Sequence, residues 1–362
     1  MPNPATVNVD VPLTAYRRCK PNPEDKFISI GVCPTTKKEI TICYQTHGDP
    51  TNPPLVLIHG LDATLYIYQE AFVNALVKRG FYVVRYDNRD SGCSTHLDGF
   101  PYVWFSRLLL PRWASIGEGQ PPYRLEDMAD DGLKLIDRLG LTKNGRKVHI
   151  MGASMGGMIV QLMAIKAKEI LASANILYSN CGGRDVVPQG FWMTLSYLYS
   201  PASDSEAHLM KYRMEAARRL TGDYPVEPEL EAVCRMLLTR SPDDSPSLWR
   251  QVWAILRSTS RGEQLRQLNP DPIQLENYEA TYLPVTIIHG TEDAMIPVIN
   301  AVRLANFINR SKLVTFPRMG HSIPGPLVDL IADEVALHIA PNTSHHGMIF
   351  LFYLFSSLFP SQ

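Results

Sequence analysis

The feature that most restricts what this chain can fold into is the order of its apolar segments. Val148–Met151 is an apolar run too short for a helix. It leads into Gly152, then into a helical segment, Met155–Lys168, and then into a second short run, Ala174–Tyr178. A strand, a helix and a strand in close succession form a βαβ unit, whose two strands lie parallel. The alternation recurs along the chain. Leu55–Ile58 is followed by Gln69–Arg79, which stops at Gly80, and by Phe81–Tyr86. Leu125–Leu139 carries Leu125, Met128, Ala129, Leu133, Ile136 and Leu139 on one stripe and ends at Gly140. Val285–His289 and Lys312–Phe316 are two further runs, and Phe27–Cys33 with Ile40–Gln45 reads as a hairpin. The expectation is an α/β fold with a mostly parallel sheet covered by helices on both faces.

The rest of the chain sorts around that core. Residues 1–25, with Pro2, Pro4, Pro12, Pro21 and Pro23, read as an extended N-terminal arm. The core is expected over residues 26–183 and 273–341. Between them, residues 184–272 show no clear strand and look helical, which is too long for a loop. A helical cap inserted into the sheet is the better reading. Trp192, Trp249 and Trp253 fall in it, Trp104 and Trp113 fall in a second irregular stretch, 98–124, and no tryptophan falls in a strand. After Pro341 comes a tail, 342–362, with an almost wholly apolar run at Met348–Phe359. A bilayer span needs about twenty residues, so this run is not one. Three readings compete: a helix or strand docked on the core, a weak membrane-surface anchor, or an artefact beyond the natural end. An accessory or artefactual tail is favoured, and its deletion is expected to leave activity intact.

Charge is uninformative in a useful way. There are 35 Lys+Arg against 36 Asp+Glu, a formal net charge of −1, which argues against nucleic acid as a partner. The six cysteines, Cys19, Cys33, Cys43, Cys93, Cys181 and Cys234, include no CxxC pair, so no metal site is expected. Reduced thiols are the simpler reading at this size. The N-terminus has no basic segment followed by an apolar run. A cytoplasmic location is the resulting expectation. Oligomeric state is not legible.

The residues that carry chemistry sit where strands end. Gly152-Ala153-Ser154-Met155-Gly156 follows the strand at Val148–Met151 and opens a helix, which presents a serine hydroxyl on a sharp turn above the sheet. The bland alternative, a glycine-rich helix start, gives no reason for an acid and a histidine after later strands. A serine needs a base, and the base needs an orienting acid. Val285–His289 leads into Gly290-Thr291-Glu292-Asp293, and Lys312–Phe316 leads into Pro317-Arg318-Met319-Gly320-His321. Asp293 is the acid, Glu292 the weaker neighbour, and His321 the base. The other histidines read as surface or core residues. The oxyanion donors are the backbone N–H groups of Met155, at a helix start, and of Leu61, after His59-Gly60.

With those residues in place the chain resembles the α/β-hydrolase superfamily, in its serine esterase form with a helical cap. The resemblance covers residues 26–341. It rests on His59-Gly60, on Tyr86-Asp87-Asn88-Arg89-Asp90-Ser91-Gly92-Cys93-Ser94, on Gly152–Gly157, on His289-Gly290-Thr291-Glu292-Asp293 and on Gly320-His321. The Arg89-Asp90 turn and Leu125-Glu126-Asp127-Met128-Ala129-Asp130-Asp131 are similar to those of aclacinomycin methylesterase-like hydrolases. The resemblance implies an α/β-hydrolase fold, a two-step acyl transfer through Ser154, and no metal or organic cofactor. Haloalkane dehalogenases and epoxide hydrolases place an aspartate where Ser154 stands, and hormone-sensitive lipases carry a glycine run where Leu61-Asp62-Ala63-Thr64 stands.

The partner expected is a small to medium, apolar, uncharged ester. His59, Trp192, Met193, Trp249 and Trp253 are the candidate pocket residues, with a small core inside the cap as the competing role for the aromatics. Two other functions keep the same triad: a C–C bond hydrolase or lyase, and a slow-turnover ligand receptor.

Overall fold

The computed structural model describes residues 19–103, 119–188, 206–225, 229–240, 245–269 and 282–339. Eight strands form one sheet: β1 (Lys26–Val32), β2 (Glu39–His47), β3 (Pro54–Ile58), β4 (Tyr82–Tyr86), β5 (Val148–Ala153), β6 (Leu171–Leu177), β7 (Val285–Gly290) and β8 (Lys312–Phe316). Their spatial order is β1-β2-β4-β3-β5-β6-β7-β8. β2 pairs antiparallel with β1 and β4, and every later neighbouring pair is parallel.

Side-chain alternation explains why the parallel strands are apolar throughout. In β3, Leu55 and Leu57 point to one face of the sheet, and Val56 and Ile58 to the other. Two helices, α1 (Glu70–Lys78) and α9 (Val328–Ala336), cover the first face with Phe72, Leu76, Ile331 and Val335. The second face is covered by α2 (Leu125–Arg138) and α3 (Met155–Ala167), through Met128, Ile136, Ile159 and Met163, and by α8 (Ile299–Phe307). A layer of helices on each face buries both sides of the sheet.

Strand ends differ from the sequence reading where a polar side chain is buried. β6 begins at Leu171 rather than Ala174, and Ser173 lies inside it with its hydroxyl 2.8 Å from Nδ1 of His149 on β5. The two polar groups satisfy each other, so the pairing continues through a segment that looks like a boundary.

Between β6 and β7 the described residues hold four helices: α4 (Glu206–Arg218), α5 (Glu229–Arg240), α6 (Ser245–Leu256) and α7 (Gly262–Leu268). The last sends Leu265 and Leu268 into the core beside α3, so it packs with the sheet layers. The first three lie elsewhere: Arg240 and Arg250 reach Asp87 and Asp90 after β4, and the segment leaving α4 lies beside Arg318–His321 after β8. Residues 1–18, Trp104, Trp113, Trp192, Met193 and the tail 342–362 lie outside the described residues.

One expectation is corrected outright. Cys19 and Cys93 form a disulfide, with Cα atoms 5.3 Å apart, so the six cysteines are not all reduced. The cytoplasmic location, which leaned on free thiols, loses that support. No helix among the described residues is long and apolar enough to cross a membrane.

Candidate active site

The turn between β5 and α3 places Ser154 at φ 58° and ψ −119°, a backbone conformation rare for any residue with a side chain. Its N–H donates to Leu177 O at 2.9 Å, and the Ser179 hydroxyl donates to its carbonyl at 2.8 Å. The turn is therefore held by the end of β6 on both sides of Tyr178. Gly156 is required by crowding: a Cβ there would overlap the Ile58 carbonyl of β3. That close approach brings the loop at Gly60 against Ser154.

Asp293 lies in the turn after β7. Its Oδ1 accepts the N–H groups of Met295 and Ile296 at 2.9 and 2.8 Å, and its Oδ2 lies 2.7 Å from Nδ1 of His321. His289, on β7, places Nε2 3.2 Å from the same oxygen and 2.7 Å from Ile296 O. Burial alone would raise the pKa of Asp293. The imidazoles of His321 and His289, by charge and hydrogen bonding, hold it well below the usual carboxylate range. An ionised acid then fixes Nδ1 of His321 as the protonated nitrogen and leaves Nε2 as the acceptor.

His321 follows β8. The ring of Tyr178 lies against it, with centroids 4.6 Å apart and planes tilted by 54°. Tyr178 is itself at positive φ, 33°, between the two residues that hold the Ser154 turn. It therefore connects the Ser154 turn to His321. No hydrogen bond joins Ser154 Oγ to His321 among the described residues, and such contacts commonly tighten only when substrate is bound. The N–H groups of Leu61 and Met155 likewise have no partner among the described residues.

The pocket candidates behave differently from one another. His59 is fully buried and neutral, its pKa lowered by burial. Its Nδ1–H donates to Gly60 O at 2.8 Å, and its Nε2 accepts the Asn88 N–H at 2.9 Å. It braces the loop at Gly60 against the turn after β4. Trp253 is buried in α6, with no hydrogen-bond partner for its Nε1 among the described residues, and Trp249 is half-buried.

Sequence reasoning missed the clamp around the turn after β4. Arg240 at the end of α5 donates to Asp25 Oδ2 at 2.6 Å and to Asp87 Oδ2 at 2.7 Å. Arg250 of α6 grips both oxygens of Asp90 at 2.8 Å, and Arg89 grips both oxygens of Asp131 at 2.6 and 2.7 Å. The segment Tyr86–Ser94 is visible as a motif, but its arginine partners are too far along the chain to be read from spacing. Asp25, Cys43 and Cys93 bring ligand atoms within 4.8 Å of one another. Arg240 already occupies the Asp25 carboxylate there, and Cys93 is in the disulfide, so this cluster does not fit a metal ion.

A mostly parallel sheet with a serine on a strand–helix turn, followed by an acid and a histidine after later strands, defines a class of serine hydrolases. Comparison with known proteins agrees. The alpha/beta hydrolase fold family model matches residues 53–324, and the chain belongs to that family. Rhodomycin D methylesterase DnrP of Streptomyces peucetius is 26% identical over 326 residues, covering 84% of this chain and 96% of the relative. A second methylesterase, DauP of Streptomyces sp. (strain C5), is 25% identical over the same shares. Among solved structures, esterase RhEst1 from Rhodococcus sp. ECU1013 has a TM-score of 0.62 at 18% identity, covering 87% of this chain and 100% of that one. A meta-cleavage product hydrolase from Pseudomonas fluorescens IP01 has a TM-score of 0.60 at 20% identity, over 83% and 94%. These two show the shared fold.

Proposed function

We propose that this protein hydrolyses a carboxylic ester through an acyl-enzyme on Ser154. The chain is a hydrolase of the esterase type, as its two methylesterase relatives are by name. The observation that carries the finer reading is the 2.7 Å contact between His321 Nδ1 and Asp293 Oδ2, which orients a base beside a strained serine turn. His321 Nε2 takes the proton of Ser154 as Oγ attacks the ester carbonyl. The Leu61 and Met155 N–H groups receive the oxyanion. His321 then protonates the leaving alcohol, and water, activated by the same imidazole, releases the acid. The insert 184–272, apart from α7, acts as the cap over this site. The methylesterase relatives make a methyl ester the first substrate type to try.

The test is hydrolysis of nitrophenyl esters from acetate to decanoate, and of aryl methyl esters, by wild type and Ser154→Ala. The wild type is expected to turn over at about 1 s⁻¹ or faster. Ser154→Ala is expected to lose at least about a thousandfold. Equal rates in both proteins would overturn the assignment and move C–C bond cleavage with the same triad ahead.

A further inference from the structure

Catalysis by a histidine on a loop depends on what holds that loop. On one side the His321 loop is tied to the acid turn: Glu292 N donates to Met319 O at 3.0 Å, and Arg318 N to Thr291 Oγ1 at 2.9 Å. On the other side it is tied to the insert. The segment that leaves α4, Leu220–Tyr224, runs beside Pro317–His321 as a short antiparallel ladder. His321 N donates to Leu220 O, Gly320 N to Thr221 O at 3.2 Å, and Asp223 N to Arg318 O at 3.0 Å, with Gly222 bridged to Met319. Tyr224 Oη donates to Pro317 O at 3.2 Å, and the Arg318 guanidinium lies 6.0 Å from its ring.

The two segments touch too closely for side chains. Gly222 is at φ +73°, and a Cβ on it would overlap Arg318 O, while one on Gly320 would overlap Leu220 O. The same helix also reaches the oxyanion side of the site. Arg213, two turns before Leu220, places NH1 4.0 Å from Oδ2 of Asp62, the residue after the Leu61 donor. One helix of the insert therefore contacts both the loop of the base and the loop of the oxyanion donor.

We propose that α4 and its exit segment are a positioning element for catalysis: Leu220–Gly222 hold His321 in register with Asp293, and a displaced cap withdraws the base. This rests on the ester-hydrolase reading above. Gly222 acts through His321 and does not touch substrate. The cap then governs proton transfer as well as access, because substrate admission and base alignment share one backbone ladder.

The experiment compares Gly222→Ala with Gly80→Ala. Gly80 is also at positive φ, +89°, but a Cβ there meets nothing within 4 Å, so it carries the same backbone strain without the collision. Two readouts are taken on the full chain: kcat and KM on a nitrophenyl ester, and the proton resonance of His321 Nδ1–H. Gly222→Ala is expected to lose about 10- to 100-fold in kcat at unchanged KM, and to shift the resonance. Gly80→Ala is expected to match wild type in both. Should Gly222→Ala not fold, Tyr224→Ala removes a rim contact of the same ladder and is expected to shift both readouts in the same direction. Wild-type kcat and resonance in the folded ladder variant, or an equal loss in Gly80→Ala, would overturn the proposal. A wild type without Ser154-dependent turnover would sink the ester reading instead, and the resonance would still decide the coupling.

Discussion

Arg240 and Asp87 meet at 2.7 Å across 153 residues of sequence, in a site from which water is excluded. Asp25 closes on the other side of the guanidinium at 2.6 Å, and the ring of Tyr66 lies 5.0 Å from it. Asp87 in turn accepts the N–H groups of Leu65 and Cys93 at 2.8 and 2.9 Å. A buried cation thus joins α5 to the turn that braces the loop at Gly60.

Removing that cation leaves two buried carboxylates without a counter-charge. Arg240→Ala is expected to cost about 3–5 kcal/mol, because a stranded charge is penalised more than an intact pair is worth. Urea unfolding of wild type and variant checks this. A cost below about 1 kcal/mol, the scale of an exposed pair, would mean that the site is wetter than its geometry implies.

Stability is expected to fall as pH drops from about 6.5 to about 4, with His149 as a principal cause. Burial, with a smaller contribution from His338, lowers its pKa from the usual 6.5 to about 4. The sign comes from the depressed value. Between the two values the unfolded chain binds a proton that the folded chain does not, so this contribution is complete above about pH 6.5 and lost as the medium acidifies. The full interval is worth on the order of 3 kcal/mol. His149→Gln, measured by denaturation at several pH values, should flatten the slope. An unchanged slope would assign it to other groups, such as the buried His59.

The Cys19–Cys93 disulfide closes a loop with a sequence separation of 74. Its reduction should destabilise the protein by about 2–4 kcal/mol, chiefly by freeing the unfolded chain. Unfolding with and without reductant measures this, and Cys19→Ser should be indifferent to reductant. A wild-type midpoint unmoved by reductant would show that the bond contributes nothing to stability in solution.

Much of the architecture is legible because it is written locally. Leu55–Ile58 is apolar at every position because a central parallel strand is buried on both faces, and Gly80 and Gly140 punctuate helix ends. Asp293 and His321 are readable for a related reason: each follows an apolar strand directly, so the sheet delivers them to one edge. The illegible part depends on pairs that only the folded chain brings together. Tyr178 is an ordinary strand-end tyrosine until its ring is seen against His321. Arg240 and Arg250 look like surface charges on helices, yet both are buried against Asp87 and Asp90. The ladder at Leu220–Tyr224 uses mostly backbone atoms, and backbone atoms leave almost no trace in composition or periodicity.

The geometry at Ser154 has a last implication. At φ 58° a residue without a side chain would rest comfortably, whereas serine occupies the position at a cost of about 1–3 kcal/mol. By the standards of folding alone, serine is thus out of place here. The hydrogen bonds it shares with Leu177 and Ser179 are what keep it there. Thermal robustness alone would favour glycine here, and the proposed acyl transfer is what would give the hydroxyl its use.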